Sequence, residues 1–349
     1  MLPWQNNKSA TRKQLLHRAS KLNSRGLSRP ASYIVLVIWF GLLGLAALNR
    51  QNISDWWQLR HYQAPPAIAQ LATQDTMTGY ARKVFYVNHP ALDSKSIFPT
   101  ACPDNGGEQT IVLGCYHSDQ AGIFLLNVTD SRLNGVEQVT AAHEMLHAAY
   151  DRLSGSERKK VDDMLMNYYS HDLKDPRLIA TIAAYKKSEP HDVVNEMHSV
   201  FGTEVAKLPT GLEEYYNRYF TDRSKITGFA TSYEEEFTNR QTAVANDDTQ
   251  LSNLKSQINT MQADLKSKQD AINAQQSQLL ALKNANNISA YNAGVPGFNQ
   301  QVDNYNSEVD TLQALVNQYN QLVASRNATA LEQDQLINEL SSKVKQINQ

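Results

Sequence analysis

The pattern of apolar and polar positions divides the chain into three parts. Near the N-terminus, an uncharged and mostly apolar run extends over residues 31–49. Over residues 62–230, shorter apolar segments alternate with breaks that contain Pro and Gly, as in a globular domain. Over residues 231–349, apolar residues recur at alternating three- and four-residue steps, which is typical of a coiled coil.

The apolar run of residues 31–49 is long enough to span a bilayer core of about 30 Å. Residues 1–30 before it contain seven Lys or Arg and no Asp or Glu. In the juxtamembrane segment of residues 50–61, the only Lys or Arg residues are Arg50 and Arg60. By the positive-inside rule, the N-terminus is cytoplasmic and the rest of the chain lies outside. We therefore predict a single-pass transmembrane signal anchor and an extracytoplasmic domain.

A cleaved signal peptide is the alternative for this run, because Leu45-Ala46-Ala47 is an acceptable cleavage context. The long basic segment and the length of the apolar run favour the uncleaved anchor. Both interpretations export the remaining chain.

The periodicities of residues 62–230 predict a mixture of helices and short strands. Strands are expected at Lys83–Val87, Gln109–Tyr116 and Gly122–Val128, and the last two are expected to pair as a hairpin. Helical spacing is found in the remaining segments, namely Ala67–Thr78, Val139–Tyr150, Glu157–Tyr169, Leu178–Lys186, His191–Glu204 and Thr210–Phe220. The predicted fold class is therefore α+β, with a small mixed sheet.

Cys102 and Cys115 are the only two cysteines of the chain. In an exported domain, a single pair of cysteines is most simply a disulfide. Two reduced, buried cysteines are the alternative.

The segment His143–His147 matches the pattern H-E-x-x-H, in a stretch of good helix formers without Gly or Pro. Residues four apart lie on one face of a helix, so the imidazoles of His143 and His147 can reach one metal ion. In this motif the glutamate, here Glu144, acts as general base on a zinc-bound water. The alternative is a surface helix with two chance histidines, which is uncommon in a chain with nine His. The motif predicts a Zn²⁺ site and peptide hydrolysis.

A catalytic zinc ion needs a third protein ligand. The metzincin arrangement is excluded, because Tyr150 and Leu153 stand where its glycine and third histidine are required. Several residues of the segment His191–Glu204 can supply the ligand instead: His191, Glu196, His198 and Glu204. Glu196 and His198 are two positions apart and face different sides of a helix, so they are not expected to share the ion.

The segment Asn195–Ser199 resembles the Asn-Glu-x-x-Ser element of thermolysin-like gluzincins. The resemblance implies that Glu196 is the third zinc ligand, that Asn195 supports it, and that the domain has a zincin-like fold. It also implies that the strand Gly122–Val128 forms the rim of the cleft and pairs with an extended peptide or protein substrate. The chain departs from the pattern at Val200, where these peptidases have an Asp.

A peptidase of this kind also needs a group that stabilises the oxyanion of the substrate. Five residues near the motifs are candidates, and the sequence does not choose among them: Tyr150, Tyr185, His191, Tyr215 and Tyr216.

Residues 231–349 carry two apolar seams separated by Gly294–Gly297. A seam on each side of one break predicts an antiparallel coiled-coil hairpin, whose polar seam positions set the register. The hairpin could be a spacer, bind a coiled-coil partner or form a homo-oligomer.

The balance of 33 Lys and Arg against 35 Asp and Glu argues against nucleic-acid binding. Together the motifs predict a membrane-anchored, extracytoplasmic zinc metallopeptidase. Two alternatives stay open. One is a non-catalytic cell-envelope scaffold in which the coiled coil binds a partner and the metal site is structural, and the other is a peptidase-like regulator of another hydrolase.

Overall fold

A computed structural model describes residues 29–103 and 112–341, with side chains from residue 36 onward. Most of the predicted basic segment, the first residues of the predicted strand Gln109–Tyr116 and the end of the second seam lie outside the described residues. The chain divides into two compact units, Met1–His61 and Tyr62–Gln349. The described part is mostly helical, with a small three-stranded mixed sheet.

The first unit contains helices α1 (Arg29–Leu48) and α2 (Arg50–Leu59). Among the described side chains, no single helix is both long and apolar enough to cross a membrane. The bent pair formed by Leu36–Leu48 and Arg50–Leu59, at 68° to each other, meets that requirement by length and composition.

The second unit begins with helices α3 (Pro66–Gln74) and α4 (Gly79–Tyr86). The predicted strand Lys83–Val87 is therefore wrong, because this segment forms the end of α4 and its cap. Thr78 caps the helix by accepting a hydrogen bond from the backbone N–H of Ala81 at 3.1 Å. The buried residues Ala81, Val84 and Phe85 follow helical spacing, so tertiary packing selects the helix.

The small sheet consists of β1 (Ala91–Asp93), β2 (Gly114–His117) and β3 (Gly122–Leu126), and the short helix α5 (Phe98–Ala101) follows β1. The strand order is β1-β3-β2, with β1 parallel and β2 antiparallel to β3. The predicted hairpin of the last two strands is thus confirmed, with Tyr116 opposite Ile123. β3 is the central strand of the sheet.

Five helices follow the sheet: α6 (Val136–Asp151), α7 (Gly155–His171), α8 (Pro176–Ser188), α9 (Val193–Glu204) and α10 (Thr210–Tyr216). Helix α6, which carries the H-E-x-x-H segment, is buried on nearly all sides by its neighbours. Its small and apolar residues Ala141, Ala142, Met145 and Leu146 belong to the main core. The polar residues of this segment are therefore held on a helix fixed by core packing.

Two long helices, α11 (Ser224–Asn284) and α12 (Ile288–Leu340), pack against each other in opposite directions. Cross-helix ion pairs show this direction: Asp248 in the first half of α11 pairs with Arg326 in the second half of α12, while Lys268, later in α11, pairs with Glu308, earlier in α12. The two helices form a hairpin. At its base, Leu336 and Leu340 of α12 join a cluster with residues beside the start of α6.

The predicted break of the hairpin at Gly294–Gly297 is wrong, since this segment lies inside α12. The chain turns at Ala285–Asn287, where Asn286 adopts a left-handed conformation with φ of 55° and Asn287 caps α12. Gly294 serves close packing instead, because a Cβ there would lie 2.7 Å from Leu279 Cδ2 on α11.

Candidate metal centre

Helix α6 presents two imidazoles to the same point. His143 and His147 are one helical turn apart, and their Nε2 atoms are 3.0 Å from each other. The side chain of His147 is 9% exposed and that of His143 is 17% exposed. Both rings are therefore largely withdrawn from solvent and aimed at a shared position.

Helix α9 brings Glu196 to this position from 49 residues further along the chain. Its carboxylate oxygens lie 3.4 Å from His147 Nε2 and 3.6 Å from His143 Nε2. One ligand atom from each of the three residues lies within 4.8 Å of the others. Glu196 Oε2 is buried and has no hydrogen-bond partner among the described residues. A group with this geometry can hold a metal ion.

The surroundings of Glu196 favour its charged form. Burial alone raises the pKa of Glu196, but the charge of His147, the contact with His143 and the hydroxyl of Tyr185 together hold it below its ordinary value. A deprotonated carboxylate beside two imidazoles is a suitable donor set for a cation.

Glu144 lies beside this group, on α6 and within the same cleft. It is buried, and strand β2 approaches it through Gly114, where a Cβ would stand only 2.8 Å from Glu144 Oε1. The same Cβ would meet the Thr140 methyl group at 2.6 Å. Because glycine has no side chain, β2 can lie directly against the Glu144 carboxylate at Gly114.

The group opens into a cleft of about 720 Å³, lined by β2 and by helices α6, α8, α9 and α11. The expectation that Gly122–Val128 forms the rim is wrong, because β3 is paired on both sides and β2 faces the cleft. The backbone N–H of Leu126 donates to the carbonyl of Leu113 at 2.8 Å. Because hydrogen-bonded and non-hydrogen-bonded pairs alternate between antiparallel strands, this bond fixes which residues of β2 bond to β3. The backbone groups of Gly114 and Tyr116 consequently point away from β3, along an edge that no other described strand pairs with.

The other candidate ligands lie elsewhere. His198 is fully buried and its Nε2 is 2.8 Å from the Tyr215 hydroxyl, while burial and the two nearby histidines lower its pKa to about 3. Glu204 binds Arg177 of α8 at 2.6 Å. His191 is exposed and does not belong to the group.

Among the five candidates for oxyanion stabilisation, Tyr185 is the one that lines the cleft. Tyr150 donates instead to Asp162 at 2.7 Å. Tyr215 and Tyr216 both bind His198, the first at its ring and the second at its backbone carbonyl. Their hydroxyls stabilise the packing behind α9.

Sequence reasoning missed two carboxylates beside the group. Glu189 and Asp192, which flank the start of α9, form a second cluster with Glu196 in which ligand atoms also lie within 4.8 Å of one another. Helical spacing gave no signal for them, because α8 ends at Ser188 and α9 begins at Val193, so Glu189 and Asp192 lie in the turn between the two helices.

Cys102 and Cys115 are joined in a disulfide, with Cα atoms 5.9 Å apart. The bond links β2 to the end of α5, and both cysteines line the cleft. It therefore tethers the strand that carries Gly114.

The chain matches no protein-family model, no curated protein and no solved structure. The candidate centre is thus defined by its own geometry. That geometry combines two imidazoles and a carboxylate around one point, a second glutamate beside them, and an open cleft with a free strand edge.

Proposed function

We propose that the protein is a zinc-dependent metallopeptidase with a zincin-like domain. The observation that carries the proposal is the meeting of His143, His147 and Glu196 around one point, with Glu144 in the same cleft. A purely structural metal site has no use for a base, and Glu144 is a buried carboxylate that lines the same cleft.

The donor set fits zinc. Ligands about 2.0–2.2 Å from a tetrahedral ion stand roughly 3.3–3.6 Å from one another. Here the two Nε2 atoms are 3.0 Å apart, His147 Nε2 is 3.4 Å from Glu196 Oε1, and His143 Nε2 is 3.6 Å from Glu196 Oε2. Two imidazoles and one carboxylate leave a fourth position open, as in catalytic rather than structural zinc sites. The buried and unpartnered Glu196 Oε2 also needs a cation nearby.

The bound zinc would lower the pKa of a water molecule and polarise the carbonyl of the substrate. The chain's own residues complete the chemistry. A Glu144 carboxylate oxygen accepts the proton of the attacking water while the water oxygen bonds to the peptide carbonyl carbon. The same oxygen then returns the proton to the amide nitrogen as the carbon–nitrogen bond breaks. His147, His143 and, to a smaller extent, the Tyr185 hydroxyl hold the Glu196 carboxylate in its charged form.

The free edge of β2 is suited to an extended peptide. The backbone groups of Gly114 and Tyr116 can pair with the substrate as an added strand. Because Gly114 lies against Glu144, this pairing would bring a peptide carbonyl to the carboxylate. Substrate orientation would come from backbone hydrogen bonds, so side-chain specificity has to come from other residues of the cleft.

We also propose that residues 31–49 anchor the protein in the membrane and that the second unit lies outside the cytoplasm. The charge asymmetry around this segment supports the orientation. The Cys102–Cys115 disulfide supports an oxidising compartment. The hairpin of α11 and α12 would then be a coiled coil that extends from the peptidase domain into the cell envelope.

The proposal is tested on the full-length protein purified in detergent, with bound zinc measured and cleavage of a peptide library followed by mass spectrometry. The parent should bind one zinc ion and cleave peptides, whereas Glu144→Gln should keep the zinc and lose activity by about 10²–10⁴-fold. Equal cleavage by both proteins would exclude the catalytic role. A zinc-bound parent that cleaves nothing would favour the scaffold.

A further inference from the structure

The cleft carries more negative charge than a zinc site needs. Seven carboxylates of the described residues line it: Glu144, Asp151, Glu189, Asp192, Glu196, Glu204 and Glu234. Arg177 is the one Lys or Arg among the described lining residues, and it already binds Glu204 at 2.6 Å and Glu234 at 3.3 Å. The charge near the metal centre is therefore not compensated by basic side chains of the lining.

Glu189 and Asp192 are the carboxylates next to the metal centre that the proposed reaction does not use. The charged groups acting on Glu189 are Glu196, Asp192 and His147. Asp192 is exposed to the cleft and Glu189 is partly buried. A cation from solution can reach both.

A second observation points to a ligand at the same place. The carboxamide of Asn195 is turned into the cluster, because its Nδ2 donates to both oxygens of Asp192 at 3.1 and 3.2 Å. Asn195 is only 6% exposed, and its Oδ1 is buried without a hydrogen-bond partner among the described residues. A buried acceptor without a partner, on a carboxamide that contacts Asp192, is suited to a ligand that donates hydrogen bonds and carries positive charge.

We propose that Glu189, Asp192 and Asn195 form a subsite that binds a positively charged group of the peptide substrate. The group is an ammonium or guanidinium: a Lys or Arg side chain or a free α-amino terminus. The inference rests on the proposed peptidase function and names its substrate class. A monovalent organic cation suits the site because the exposed Asp192 allows the group to enter and leave with each substrate.

The test measures binding rather than cleavage, on zinc-loaded full-length Glu144→Gln protein by fluorescence anisotropy. The peptides share one sequence and differ in two features: Lys or Gln, scanned through each position, and a free or acetylated N-terminus. One charged peptide should bind about tenfold more tightly than its neutral counterpart. The feature that carries the difference identifies the source of the cation. Equal affinities for all peptides would overturn the proposal.

The subsite is located with Glu189→Gln combined with Asp192→Asn in the same background. In this double variant, the affinity for the charged peptide divided by that for its neutral counterpart should fall close to one. Asp163→Asn is the matched control, since Asp163 is exposed on α7 and pairs with Lys159 there, and its ratio should equal that of the parent. A ratio unchanged in the double variant would overturn the assignment. Thermal unfolding of each variant verifies the fold.

Two further measurements keep the proposal falsifiable. Added salt should reduce the affinity ratio of the unsubstituted subsite, and a ratio indifferent to salt would contradict it even if the double variant does not fold. Metal analysis should give one ion per chain with and without the double substitution. If the chain held two ions without the double substitution and one ion with it, Glu189 and Asp192 would hold a second metal ion instead. Because binding is measured without cleavage, a failed peptidase assay and a failed subsite give different results.

Discussion

The cleft and the helical hairpin treat charge in opposite ways. Along the hairpin, charged side chains are largely accessible to solvent, and some of them pair across the two helices, such as Lys268 with Glu308 at 2.6 Å and Arg326 with Asp248 at 2.9 Å. In the cleft, carboxylates gather around the imidazoles of His143 and His147, and two of these carboxylates, Glu144 and Glu196, are buried. Paired surface charges therefore contribute little free energy, whereas carboxylates concentrated around a partly buried centre mark a place where a ligand is expected.

This contrast has an energetic side. Burying Glu196 without a full set of partners costs free energy in the metal-free protein, and a bound cation offsets that cost. The hairpin needs no ligand, because water and opposite charges already solvate its side chains. Four substitutions test this contrast.

The largest effect is expected for Glu196→Ala. Loss of a metal ligand should reduce zinc affinity by at least about 100-fold, as measured by competition with a chelator. Glu204→Ala is the matched control on the same helix, since Glu204 binds Arg177 and should leave zinc affinity unchanged. Zinc retained by Glu196→Ala and lost by Glu204→Ala would reverse the assignment of the third ligand.

A smaller loss is expected for Tyr185→Phe. Removing the hydroxyl beside Glu196 should reduce kcat/KM by about 10–100-fold, because groups that orient a metal ligand typically contribute this much. Tyr150→Phe is the control, as its hydroxyl binds Asp162 on the outside of the centre. If Tyr150→Phe reduced activity and Tyr185→Phe did not, the supporting role would belong to the other tyrosine.

Asp75 offers a further test of the contrast between cleft and hairpin, because it is a buried carboxylate that does not line the cleft. It is fully buried, both its oxygens lack hydrogen-bond partners in the described part of the chain, and burial raises its pKa well above its ordinary value. Its folded form binds a proton more tightly than its unfolded form, so stability is full below the unfolded pKa and falls as pH rises through the folded pKa.

Asp75→Asn should therefore stabilise the protein at pH 8 by about 1–3 kcal/mol, with a gain that shrinks toward pH 4. Thermal unfolding at both pH values measures it. A lower Tm of Asp75→Asn at pH 8 would mean that this carboxylate has a charged role of its own.

The smallest effect is expected for Lys268→Ala in the hairpin. The pair with Glu308 is exposed and screened by solvent, so Tm, zinc content and cleavage should all match the parent. A measurable fall in zinc content would show that the hairpin is coupled to the metal centre, and the contrast between the two regions would have to be abandoned.

The centre could be predicted from the sequence to the extent that its chemistry is local. His143, Glu144 and His147 lie on one helix, so spacing alone places them together. Glu196 required a second motif, because the fold of the intervening helices brings α9 back to α6. The same limit explains why Glu189 and Asp192 were missed: their proximity to the centre depends on how α8 and α9 join.

The remaining wrong predictions concern segments whose secondary structure or position in the sheet is decided by tertiary packing. The apolar run Lys83–Val87 satisfies both a strand and a helix pattern, and the Thr78 cap with core contacts selects the helix. The segment Gly294–Gly297 contains helix-breaking residues, yet packing of Leu279 against Gly294 keeps it helical. Strand order is a property of the assembled sheet, so sequence could not show that β2 rather than β3 faces the cleft.

The most direct test of the metal centre is X-ray absorption at the zinc edge on the full-length protein. We expect two imidazole nitrogens and oxygen ligands at about 2.0–2.2 Å from the ion, with no sulfur. The oxygen contribution should change in Glu196→Ala and stay unchanged in Glu204→Ala. A spectrum without imidazole scattering, or a parent protein that binds no zinc, would contradict the assignment of His143, His147 and Glu196.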